Sequence, residues 1–96
     1  MTYYVTCITK HPNHDDPRHR ITHVGTTTTK GLILPSKVWN AQDVVNAIDF
    51  GRDTFWCSDK RGDLVKVATV AHLNGKYLKT ENDGIAQDNL LSQKDC

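Results

Sequence analysis

The chain has 96 residues, a formal net charge of +1 and three cysteines. That length suits one domain over residues 1–96, and the balanced charge sets up no global field toward nucleic acid or membrane. No apolar run approaches the ~20 residues of a membrane span, and MTYYVTCITK lacks the basic leader and apolar block of a signal peptide.

Tyr3 to Lys10 is rich in β-branched and aromatic residues and predicts a strand. Strict alternation puts Tyr3, Val5 and Cys7 on one face and Tyr4, Thr6 and Ile8 on the other, so both faces expect partial burial, as in a central strand. A loop follows at residues 10–18, with two prolines and an Asn/Asp cluster. Arg18 to Val24 predicts a second strand ended by Gly25. Residues 25–39 are read as loop, because four consecutive threonines and Pro35 interrupt any periodic pattern.

One helix is expected, over Ala41 to Phe50. Asn40 is its N-cap, Asp43 suits the first turn, and Ala41, Val44, Val45 and Ile48 form an apolar stripe. Gly51 supplies the stop, and Ser36 is the alternative cap. Ten residues are marginal alone, so the stripe must dock on a sheet.

Asp53 to Thr80 predicts an antiparallel meander. Asp59-Lys60-Arg61-Gly62 fits a type I turn closed by a left-handed Gly, which sets Cys57 opposite Val65 and Trp56 opposite Lys66. Asn74-Gly75 reads as a type I′ turn, with His72 opposite Tyr77, Ala71 opposite Leu78 and Val70 opposite Lys79. Alternation then sorts Phe55, Cys57, Val65, Val67, Ala71 and Leu78 onto an apolar face. Trp56, Lys66, Ala68, Val70, His72, Tyr77 and Lys79 share the other, which mixes aromatics with cations. Arg61-Gly62-Asp63 spells an adhesion tripeptide but is read as turn chemistry. The tail at residues 81–96 is polar except for Ile85, Leu90 and Leu91; the two leucines are expected to pin it back on the domain, and cover over Trp56 and Val70 by these three residues is the alternative to an open face.

The odd cysteine count at wide spacing, with no N-glycosylation sequon, predicts free thiols in a reducing cytoplasm. A Cys7–Cys57 bridge between neighbouring strands is the alternative.

These segments together resemble a family of short prokaryotic proteins known only as domain of unknown function 3892. The residues that carry the resemblance are Val5-Thr6-Cys7-Ile8, Arg20-Ile21-Thr22-His23-Val24-Gly25, Val44-Val45 with Ile48 and Gly51, and Phe55-Trp56-Cys57. The closing run is Tyr77-Leu78-Lys79-Thr80, Asp83-Gly84, Asp88-Asn89-Leu90-Leu91 and Cys96. The chain departs from that pattern at Thr26 to Pro35, which is longer, and at Gln93-Lys94. The resemblance implies a coherent fold and no activity.

The fold class expected is α+β: an antiparallel sheet of about five strands in the order β-β-α-β-β-β, with one helix on one face. For function, the leading expectation is a non-enzymatic binding or accessory module acting through Trp56, Lys66, His72, Tyr77 and Lys79, extended by Arg18, Arg20, Lys60 and Arg61. Its partner is another protein or a second copy, ahead of single-stranded nucleic acid, and no membrane. The alternative is a zinc domain through Cys7, His11, His14, His19 and His23, because His nitrogen and Cys sulfur suit a tetrahedral ion. A thiol enzyme comes third, since no activating group or oxyanion feature accompanies the cysteines. No cofactor fingerprint occurs.

Overall fold

The computed structural model describes residues 1–11, 21–32, 34–59, 61–72, 75–81 and 88–96. Within them the elements are β1 (Thr2–Lys10), β2 (Ile21–Thr27), β3 (Lys37–Asn40), α1 (Ala41–Asp49), β4 (Thr54–Ser58), β5 (Leu64–His72), β6 (Gly75–Thr80) and α2 (Asp88–Leu91). The class is α+β. The sheet has six strands in the order β3-β2-β1-β4-β5-β6, and it is mixed, because β1 and β4 run parallel.

Both departures from the expected five-stranded antiparallel sheet have a local cause. β3 is only four residues long, and Trp39 is its one buried side chain, so no alternation reveals it in the sequence. It pairs antiparallel with β2, from His23↔Asn40 to Thr26↔Lys37. Its formation leaves the chain at the far edge, and α1 then carries it across a face to the other side of β1. There β4 pairs in parallel through Tyr3↔Phe55. β2 also runs through Gly25 to Thr27 instead of ending there, and Thr26 and Thr27 are buried. Ser36 is not a cap; its hydroxyl donates to the Thr26 carbonyl at 3.3 Å.

The helix forms where its caps lie. Asn40 Oδ1 accepts from the Gln42 N–H at 2.9 Å, and Gly51 follows the last turn at φ +69°. Val44, Val45 and Ala47 are buried against the sheet, and Ile48 packs on their cluster. Tyr3, Trp39 and Phe55 meet beneath them: Tyr3 stacks on Phe55 at 5.3 Å, and Trp39 stands edge-on to both, at 5.1 and 5.2 Å. The Trp39 indole N–H is satisfied by Thr26 Oγ1 at 2.9 Å. Leu90 of α2 joins the same core with Cys57, Val67 and Leu78, while Asn89 donates to Thr80 Oγ1 at 2.9 Å. Both helices therefore cover one face, and Leu90 is not over Trp56. Ile85 lies outside the described residues.

The turn at Gly62 forms as its residues dictate. Asp59 Oδ1 accepts from the N–H groups of Arg61 and Asp63, the Gly62 N–H reaches the Asp59 carbonyl, and Gly62 takes φ +87°. Cys57↔Val65 and Trp56↔Lys66 pair accordingly. The second hairpin corrects the expected register: His72 pairs with Gly75, Val70 with Tyr77, Thr69 with Leu78 and Ala68 with Lys79. The offset is two residues along β5, so every side chain keeps its face. Apolar patterning cannot distinguish the two registers. Contacts to the helix do, because this one brings Thr69 Oγ1 to Asp49 Oδ1 (2.7 Å) and Lys76 Nζ to Asp49 Oδ2 (2.6 Å).

The free-thiol expectation is also corrected. Cys7 and Cys96 form a disulfide, and Cys57 is the buried thiol. Sequence separation hid the pair, since 89 residues lie between them. A register shift in β1 between Val5 and Cys7 turns Cys7 away from the helix face, toward Gly25. A Cβ on Gly25 would collide with Cys7 Sγ and come within 3.0 Å of both Cys96 Sγ and the Pro35 Cβ.

Two outcomes follow from these contacts. Gly25→Ala is expected to lower stability by about 1–3 kcal/mol through overpacking, read from urea midpoints, with the deficit shrinking when both proteins are reduced. The second concerns pH. Hydrogen bonds from Lys76 and Thr69 hold the Asp49 carboxyl below its usual value. A depressed folded pKa means that the stabilising contribution is present above the unfolded carboxylate value and is lost as pH falls through the folded one. The stability gap between wild type and Asp49→Asn should therefore close on acidification below the ordinary carboxylate range. A gap independent of pH would contradict the pairing.

Candidate functional site

Alternation and the two registers place Trp56, Lys66, Ala68, Val70 and Lys79 together on the face away from both helices. All five are half-buried. Tyr77 shares the face but is only 7% exposed, so its ring is not available for stacking. His72 pairs through its backbone with Gly75, and its side chain is outside what is described. Arg18 and Arg20 also lie outside the described residues. Arg61 does not extend the face; it turns back on Asp59 and Asp63, at 3.7 and 3.8 Å.

Charge on the sheet is of one sign. The strands contain Lys10, Lys37, Lys66, Lys76 and Lys79 and not one Asp or Glu. On the helix side this charge is met locally: Asp49 takes Lys76, and Lys37 Nζ sits 3.7 Å from the centre of the Trp39 ring. On the opposite face, Lys66 lies across from Trp56 and has no acidic neighbour within the strands.

The face continues into a cleft that sequence reasoning missed. β4 pairs with β1 only from Thr2 to Tyr4, and beyond that point the C-terminal segment takes its place. The Ile8 N–H donates to the Lys94 carbonyl (2.9 Å) and the Cys96 N–H to the Ile8 carbonyl (3.0 Å), making a parallel bridge with Asp95. Between β1, the end of β4 and this segment lies a cleft of about 410 Å³. Its walls are Tyr4, Thr6, Leu32, Leu64, Gln93 and Lys94, with Lys30 at the side and, among the described residues, no carboxylate in the lining. Tyr4 is the strand partner of Trp56, and Leu64 shares a face with Lys66, so cleft and face form one surface. Gln93 anchors its rim by donating to the carbonyls of Ser58 (3.1 Å) and Asn89 (3.0 Å). The sequence signals for this feature were the Cys7/Gly25/Cys96 trio and the polar run 92–94, none of which is periodic.

The other candidate groups do not assemble. Cys7 in its disulfide has no thiolate to give a metal, and among the described residues no three His, Cys, Asp or Glu side chains converge. His11 and His23 are exposed, His23 Nδ1 lying 3.0 Å from Thr22 Oγ1; His14 and His19 fall outside the described residues. Cys57 is buried in the helix-side core. Among the described residues no helix is long and apolar enough to cross a membrane.

The family described as "Protein of unknown function (DUF3892)" matches residues 4–93. Comparison with curated proteins and with solved structures finds no match.

The environments of the two tryptophans can be separated in solution. Trp39 is buried and Trp56 half-buried beside Lys66. Iodide should quench a fraction of the fluorescence more strongly than caesium does, because the lysines concentrate anions there. Trp56→Phe should abolish that fraction. Equal quenching by both ions would show that the face is not electropositive.

Proposed function

Since the chain belongs to DUF3892, a family of unknown function, its role must be read from its own surface, and we propose a non-enzymatic protein-binding module for an acidic partner segment. The observation that carries this reading is the segregation of charge, with every strand charge positive and, among the described residues, no carboxylate lining the adjoining cleft. An extended acidic segment laid along β4 and β5 pairs a carboxylate with Lys66, and an apolar side chain enters the cleft against Tyr4, Leu32 and Leu64. Electrostatic complementarity of this kind supplies on-rate and selectivity, and a central aromatic such as Trp56 supplies most of the affinity.

A protein partner is favoured over single-stranded nucleic acid by the burial of Tyr77. Base-stacking platforms use several exposed rings along a strand, and here the Tyr77 ring is buried while Tyr4 and Trp56 are half-buried.

The test is titration with acidic peptides bearing one aromatic or aliphatic anchor, beside single-stranded oligonucleotides, followed by NMR shifts. Shifts should gather at Tyr4, Trp56 and Lys66 and weaken with salt. Trp56→Ala is expected to cost about 2 kcal/mol, roughly thirty-fold in affinity, and Lys66→Glu to weaken binding further. Shifts confined to the α1 side, or oligonucleotide binding alone, would overturn the reading.

A further inference from the structure

We propose that the Cys7–Cys96 disulfide is a site of thiol–disulfide exchange, at which a small thiol adds to Cys96 and releases the segment Lys94–Cys96 from β1. This does not rest on the acidic-partner reading. It stands on three features of the strap.

The two ends of the bridge differ in access. Cys7 is 1% exposed, beneath Gly25 and Pro35, whereas Cys96 is exposed. An incoming thiolate is therefore directed to Cys96, and the buried Cys7 is the leaving group.

The strap is also held lightly apart from its sulfur bond. Two backbone hydrogen bonds join it to Ile8, and Asp95 and Cys96 bury no apolar side chain in the core. The rest of the tail has its own anchors: Leu90 is fully buried, Asn89 bonds Thr80, and Gln93 bonds Ser58. Gln93 thus serves as the pivot, and opening the bridge frees three residues without removing any member of the core.

Finally, the strap does something when it moves. Lys94 forms part of the cleft wall, and Ile8 is paired on that side of β1 by the strap. Release widens the cleft and exposes the backbone N–H and C=O of Ile8 for another extended segment.

The exchange balances as follows. The thiolate sulfur bonds to Cys96 Sγ, the Cys7–Cys96 bond breaks, and Cys7 leaves as a thiolate that takes a proton from water. A second thiol attacks the mixed disulfide, frees Cys96 as a thiol and carries away both thiol sulfurs as a disulfide. Two electrons pass from the two thiols to the protein. Cys57 takes no part, being buried in the helix-side core.

The experiment treats the native oxidised protein with reduced glutathione, traps thiols with iodoacetamide and maps peptides by mass, with amide exchange followed in parallel. Expected are glutathione on Cys96, alkylation on Cys7, and amide exchange at Ile8 and Cys96 faster by about tenfold or more, while β4 and β5 keep their protection. Glutathione on Cys7, or equally on both cysteines, overturns the proposal. So does reduction that proceeds only as fast as β5 loses protection, since the bridge then opens by global unfolding. Cys96→Ser supplies the permanently open strap and should leave β4 and β5 protected. If that variant does not fold, the strap is part of the fold's stability and the proposal fails.

Discussion

The register shift in β1 between Val5 and Cys7 is the constraint on which this molecule depends. Without it, strict alternation would send Val5 and Cys7 to one face and Ile8 to the other. With Thr6 as the extra residue, Val5 and Ile8 both reach the helix-side core, and Cys7 turns out to the opposite face. The Thr6 hydroxyl donates to the Gly25 carbonyl at 3.4 Å, tying the bulge to the residue whose missing side chain makes room for the disulfide. One unpaired residue thereby separates a hydrophobic half from a redox half in the same strand.

That separation explains why β1 has two successive neighbours on one side. Its first residues pair in parallel with β4, where Tyr3 stacks on Phe55. Past the bulge, β4 no longer accompanies it, and the segment around Asp95 fills the edge. Unpaired backbone on a central strand is costly, so something must occupy that position. An element held by two hydrogen bonds and a disulfide occupies it reversibly in a way that a full strand would not.

Much of the fold was legible because it is set locally. Asn40 and Gly51 bound the helix, and Asp59 with Gly62 sets the first hairpin, since each acts on backbone groups within four residues of itself. The alternating faces of β4 to β6 were legible for the same reason, and they survived an error of two residues in the second hairpin. Features set at long range were not legible. β3 has one buried residue, the parallel β1–β4 pairing follows from the path of α1 across the sheet, and the disulfide closes over 89 residues. The candidate site divides along the same line. Its Trp56/Lys66 half follows from hairpin register, and its cleft half comes from a tail whose sequence carries no period.

Charge placement sets the surface proposed for binding apart. No carboxylate lies in a strand among the described residues, and Asp59, Asp49 and Asp53 are committed to a turn, to Lys76 and to the Met1 ammonium group. Packing cannot be the reason at Lys66, because it is half-exposed and its surroundings would accept Glu or Asp beside it. Such cross-strand pairs would add stability of a few tenths of a kcal/mol to about 1 kcal/mol each. The sheet instead keeps Lys66 beside Trp56, and no carboxylate among the described residues lines the cleft. That placement is what the proposed acidic partner would complement.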